Sequence, residues 1–250
     1  MKRDIRTQHS LPTPSGMLNY ALRRSSRRRT MEVRILESAE ISVAAPFHTP
    51  IEKIQIFIYK HADWLIRKQG QIAAFRLRIP VRRYEDGQEF LFLGKEYALR
   101  VKNVSARQVR IDFCESGWMV SVPAAESNNN RSLLIKKKLL AWYRDQAEEI
   151  FGGRVFHYAR MLGVAPETIT VKTQKRMWGN CHHHSRKINL NWRLVMAPLS
   201  VIDYVVVHEL CHLKVPNHSP RFWRQVTEIL PNYKVERDWL KTNAMALTLS

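Results

Sequence analysis

The segment Val205-Val206-Val207-His208-Glu209-Leu210-Cys211-His212-Leu213, followed closely by Asn217-His218-Ser219-Pro220, decides how the rest of the chain is read. Its apolar positions, with Ser200 upstream and Asp203 three residues on, predict a helix with a capped start. On a helix His208 and His212 stand four residues apart on one face, where two imidazoles meet one ion. Zinc is the expected ion. Catalytic zinc takes three protein ligands and keeps one position open, and Glu209, beside His208, is placed to take a proton from water there. The third ligand has to come from outside the helix. Pro216 stops that helix, and Ser219-Pro220 has the form of an N-cap followed by proline at the first helical position, so His218 falls in a short turn between two helices. His218 is the expected third ligand, with Glu228 as its rival.

At 250 residues and 45% hydrophobic content the chain has room for one large or two small folded domains. A formal net charge of +19 favours polyanions or acidic substrates, the other reading being a solvated basic surface. The three cysteines, Cys114, Cys181 and Cys211, are widely separated and imply no disulfide framework, which points to a reducing, cytoplasmic setting. No stretch approaches the ~20 apolar residues that span a bilayer. Met1 to Ser15 is polar, with prolines at 12 and 14, and lacks the apolar core of a signal peptide.

Residues 1–16 read as a loose tail, 17–125 as a β-rich region and 126–250 as the catalytic region. Within the β-rich region a pseudo-repeat appears. Tyr20-Ala21-Leu22-Arg23 recurs as Tyr97-Ala98-Leu99-Arg100, Val33-Arg34-Ile35 as Val109-Arg110-Ile111, Pro46 as Pro123, and Trp64 as Trp142. Order and spacing both persist, so each copy is expected to form three strands followed by a helix: Pro50 to Gln69 in the first, and Ser132 to about Leu162 in the second, with a break or kink at Gly152-Gly153. Alone, the run Arg23 to Arg29 would pass for a nucleic-acid tail or localisation signal; the register of the repeat places it instead in a charged hairpin turn between strands. Thr168 to Thr173 alternates and is β-branched, with Lys187 to Asn191 as its expected partner across a turn. Between them, His182, His183 and His184 cannot all face one ion from an extended strand, so they are read as a polar turn. Arg176 and Asn180 are candidates to hold a substrate carbonyl as it becomes an oxyanion. Tyr233 to Leu247 is expected to be the last helix.

Taken together, Trp178-Gly179-x-Cys181, Ile188-Asn189-Leu190-Asn191-Trp192-Arg193-Leu194, Pro198, Asp203-Tyr204-Val205-Val206-Val207-His208-Glu209-Leu210-Cys211-His212 and Asn217-His218-Ser219-x-x-Phe222-Trp223 resemble the YgjP-like metallopeptidases, relatives of the SprT and WLM zinc proteases. The resemblance runs from about Tyr20 to Trp239. It implies a zinc-dependent peptidase of the zincin type, with His208, His212 and His218 as ligands and Glu209 as the catalytic residue. The SprT relatives act on proteins bound to DNA, which implies nucleic acid as a partner for the basic surface. The chain departs from the family pattern at Asn180, where serine is expected, and at His182, where a small polar residue is expected.

The expectation is an α+β protein: a β-rich N-terminal half, then a mostly helical, zincin-like half carrying the metal helix, acting as a zinc metallopeptidase on protein or peptide. The alternative is a basic nucleic-acid-associated module with a structural zinc. Three histidines with an adjacent glutamate favour the enzyme, because structural sites are usually closed by four ligands and rich in cysteine.

Overall fold

Leu18, Tyr20 and Leu22 are buried while their neighbours face outward, the two-residue period of a half-buried strand. From such strands the chain builds two similar sheets. A computed structural model of the protein describes residues 4–36, 38–78, 82–105, 107–124, 127–174 and 177–249, with 4, 75–78, 128 and 129 described by backbone alone. The chain divides into two compact units, Met1–Pro80 and Val81–Ser250.

In the first unit, β1 (Asp4–Thr13), β2 (Gly16–Ser25), β3 (Glu32–Ile35) and β4 (Ile41–Pro46) form a sheet in the order β1-β2-β4-β3. The β2 and β4 strands run parallel, and the other pairs are antiparallel. The expected loose tail is corrected here: Asp4 to Thr13 pair in register with Gly16 to Ser25. Ladder hydrogen bonds hold a polar strand whose sequence has no apolar period to announce it. The expected single helix from Pro50 to Gln69 is two, α1 (Ile51–Tyr59) and α2 (Ala62–Arg78), which bury Ile54, Ile58 and Leu65 with the sheet's apolar face. The arginine run closes β2 and turns, but the expected hairpin is corrected: β2 pairs with β4 in parallel, and β3 pairs with β4 rather than with β2. Arg24 donates to the carbonyls of Phe47 and Thr49, and Arg28 pairs with Glu32 at 2.8 Å.

The second unit opens with β5 (Glu89–Phe92), β6 (Lys95–Val104), β7 (Arg110–Cys114) and β8 (Gly117–Pro123), ordered β5-β6-β8-β7. Again only the crossover pair, β6 with β8, is parallel. Both copies of the repeat therefore fold to one topology. The division between units falls after the first copy, not at 125/126. The second copy shares a core with everything C-terminal to it, through rings such as Phe92, Trp118, Tyr143 and Trp192.

The long helix α3 (Asn128–Leu162) runs without interruption through Gly152-Gly153. Buried Phe151 and Val155 on either side hold it to the core, so packing overrides the low helix propensity of two glycines. It ends where Gly163 takes the left-handed conformation at φ 61°. Next come β9 (Thr168–Lys172), β10 (Gly179–His182) and β11 (Lys187–Asn191), in the order β10-β11-β9. The expected partners β9 and β11 do pair, but in parallel, and the hairpin joins β10 to β11.

A 3₁₀ turn (Trp192–Met196) leads into α4 (Leu199–Cys211), then α5 (Pro220–Ile229) and α6 (Tyr233–Asn243). The α4 helix carries the β-branched run Val205 to Val207, a weak helix former, and nearly every one of its residues is buried. Burial decides its conformation. Pro198 precedes it with no side-chain cap, so the expected cap at Ser200 is absent. Asp203 is buried instead against Arg154 of α3, which donates to its two oxygens at 2.5 and 2.7 Å. No helix among the described residues is long and apolar enough to cross a membrane.

Candidate active site

The α4 helix ends at Cys211, with His212 as its C-cap. The Leu213, Lys214 and Val215 amides bond back to the Leu210 and Cys211 carbonyls, which turns the chain tightly away from the helix axis. Asn217 and His218 then return it toward α4, and α5 starts at Pro220 after Ser219 in the N-cap position. The result brings His208, His212 and His218 together. The His218 Nε2 lies 3.0 Å from the His208 Nε2 and 3.2 Å from the His212 Nε2. Among the described residues these three form the one cluster whose donor atoms all lie close enough to hold an ion. Glu228 is not part of it.

Three observations test whether these residues fit a metal. Donors about 2.1 Å from the centre of a tetrahedron stand roughly 3.4 Å apart, a few tenths of an ångström beyond the two separations seen. The His212 Nδ1 donates to the Val215 carbonyl at 3.0 Å, so its Nε2 keeps a lone pair turned inward. Burial, reinforced by the neighbouring imidazoles, drives the His208 pKa down to about 3, and burial lowers that of His212, so both rings stay neutral, the form that binds metal. The donor set fits. The His208 Nδ1 is buried with no partner among the described residues.

Aromatic rings enclose the triad. His218 stacks on Trp223, Trp223 on Tyr233 and Tyr233 on Tyr204, at centroid distances of 5.7, 5.2 and 6.1 Å. Tyr204 meets the His208 ring edge-on at 5.9 Å, which closes the circuit, and Phe222 stacks on His212 at 4.4 Å. These contacts leave the imidazoles little rotational freedom, while His218 remains exposed and the cluster open on its side.

Glu209 is only 6% exposed, and burial alone raises its pKa to about 8. Gly179 on β10 explains how the carboxylate is covered. A Cβ at Gly179 would lie 2.7 Å from both the Glu209 Cγ and Oε1, so only glycine lets the strand pass there. The neighbouring residue on β10, Asn180, points away from Glu209, as strand alternation requires. Its Oδ1 accepts from Gln174 at 2.7 Å and Asn189 at 3.3 Å, and its Nδ2 lies 3.0 Å from the His182 Nε2. Arg176 lies outside the described residues. Sequence reasoning missed Gly179 as a contact of Glu209 and the Tyr204-Trp223-Tyr233 stack. A glycine inside a strand was the available signal for the first; the second had none, since aromatics on helices read as core.

A convergent histidine triad with a covered carboxylate one residue along is a cluster that could hold a metal ion beside a candidate base. The chain belongs to the YgjP-like family, whose metallopeptidase domain matches residues 29–243. No curated protein matches. Among solved structures, the metallopeptidase zymogen of Pyrococcus abyssi abylysin is 23% identical with a TM-score of 0.35, over 37% of this chain and 93% of that one. The metallopeptidase zymogen of Methanocaldococcus jannaschii jannalysin is 20% identical with a TM-score of 0.33, over 37% of this chain and 92% of that one.

Proposed function

We propose that the protein is a zinc peptidase in which His208, His212 and His218 hold the ion and Glu209 is the general base. The observation that carries this reading is the convergence of three imidazole Nε2 atoms at the helix that also carries the buried carboxylate of Glu209. Zinc bound there supplies Lewis acidity, which polarises the scissile carbonyl and brings the pKa of water near neutrality. Glu209 accepts the proton that the attacking water gives up and delivers it to the departing amine. A carboxyl raised by burial is suited to both halves of that transfer near neutral pH.

The sheet supports a placement for the substrate. Among the described residues β10 pairs with β11 on one side only, and Gly179 on it abuts Glu209, so its other edge offers backbone donors and acceptors beside the base. An extended peptide adds to such an edge as a further strand. Asn180 serves this arrangement by tying β10 to Asn189 and Gln174. We propose nucleic acid as an additional partner, on the ground that residues 1–80 carry fifteen Lys and Arg against six Asp and Glu.

Zinc content and casein digestion by Glu209→Gln test the reading. The variant keeps stoichiometric zinc and loses turnover by at least about 100-fold, the scale of a general base. Retained turnover removes Glu209 from the mechanism; loss of zinc from His208→Ala and His218→Ala, but not from Glu209→Gln, establishes the ligand set.

A further inference from the structure

The run His182-His183-His184 has no role in the mechanism above, and the three side chains go separate ways. His182 bonds Asn180, and His184 only meets the edge of the His183 ring at 5.6 Å. His183 reaches out of its own hairpin. Its Nδ1 lies 3.0 Å from the His212 carbonyl oxygen, and since a carbonyl only accepts, the Nδ1–H donates.

That carbonyl occupies a special place. The last carbonyls of a helix have no partner within it. The turn after α4 supplies backbone donors to Leu210 and Cys211, whereas the His212 carbonyl takes its hydrogen from His183. The His212 ring is fixed independently by Val215. The hairpin carrying His183 also carries Gly179, which presses on Glu209. One hairpin therefore grips α4 at both the base and a ligand.

We propose that His183 is a positioning residue: its Nδ1–H bond to the His212 carbonyl clamps the β10–β11 hairpin to the end of α4, holding ligand His212 and the free edge of β10 in fixed relation. The inference rests on the metal site proposed above. Asparagine presents an N–H close to where the histidine Nδ1–H stands, and aspartate has the same shape without a donor, so the two variants separate the hydrogen bond from bulk.

The test is Zn2+ affinity of the full chain, measured by competition with a chromophoric chelator, together with peptidase turnover and a urea melt. His183→Asp and His183→Ala bind Zn2+ about tenfold more weakly, the lower end of what supporting hydrogen bonds around metal ligands contribute, and turn over more slowly. His183→Asn stays within about twofold of the parent, within the scatter expected for a retained bond, and His184→Ala is unchanged. Should His183→Ala not fold, the Asn and Asp pair decides. Equal Zn2+ affinity in the Asp and parent proteins overturns the clamp, as does an Asn variant as weak as Asp. Failure of the parent protein itself to bind Zn2+ removes the metal site, a distinguishable result.

Discussion

Glu209 shows at the scale of one residue what the site costs the fold. Its folded pKa of about 8 lies above the ordinary carboxylate value of 4.5, and burial is the cause. A group whose pKa rises on folding binds its proton more tightly in the native state. Its contribution is therefore fully present below about 4.5 and lost as pH climbs to about 8. In metal-free protein, Glu209→Gln has no carboxylate to ionise. Urea unfolding in the presence of a chelator is expected to show the variant gaining on the parent by a few kcal/mol between pH 4.5 and 8, on the scale of 1.36 kcal/mol per pKa unit. A stability difference that does not change with pH would mean that Glu209 is paired or hydrated in solution. His208 pulls the opposite way, losing stability as pH falls from its ordinary value toward 3, which is why the difference between variants is the quantity to measure.

Among the elements, the start of α4 is held as firmly as its end. The turn joining β5 to β6 docks on the 3₁₀ turn, with the Leu93 and Gly94 amides bonding the Val195 and Met196 carbonyls at 2.9 and 3.0 Å. Gly94 adopts φ +79°, and a Cβ there would sit 2.7 Å from the Pro198 Cγ and 3.0 Å from its Cα and N. Gly94→Ala combines backbone strain with a clash against the residue that opens the metal helix. It is expected to cost about 1–3 kcal/mol, read as a lower urea midpoint, and to slow turnover by displacing His208. An unchanged midpoint would show that the turn does not seat on Pro198. Farther along, the Arg154–Asp203 pair links α3 to α4, so the metal helix is fixed by a sheet turn, an ion pair and the β10–β11 hairpin in succession.

At the scale of the molecule, one sheet topology is used twice, and the second copy belongs to the same buried core as the helix that carries His208 and His212. The first copy, with its two helices, forms a unit with its own core of Leu18, Tyr20, Ile41, Val43 and Ile54 among others. Its basic excess is nine in 80 residues, against ten in the remaining 170. Charge so concentrated predicts that a short DNA duplex binds with an affinity that falls steeply between 50 and 200 mM salt, by the ~10³-fold or more expected of a protein making several phosphate contacts. Fluorescence anisotropy across that range measures it. Binding that is absent, or indifferent to salt, would reduce the basic surface to solvation.

Much of this was legible from the chain alone. Two histidines four residues apart on a helix and a third in a proline-bounded turn are local facts, so the candidate cluster of His208, His212 and His218 and the helix start at Pro220 follow from spacing and stereochemistry. The repeat was legible because two copies of one pattern betray each other. The rest depends on contacts between distant residues. Only folding brings Gly179 against Glu209, gives Asp203 to Arg154 rather than to a cap, makes a strand of the polar Asp4 to Thr13, and carries α3 through two glycines. Local sequence sets which conformations each segment can adopt and which chemistry it bears. Burial and long-range hydrogen bonds choose among them, and they are properties of the partner segment as much as of the segment itself.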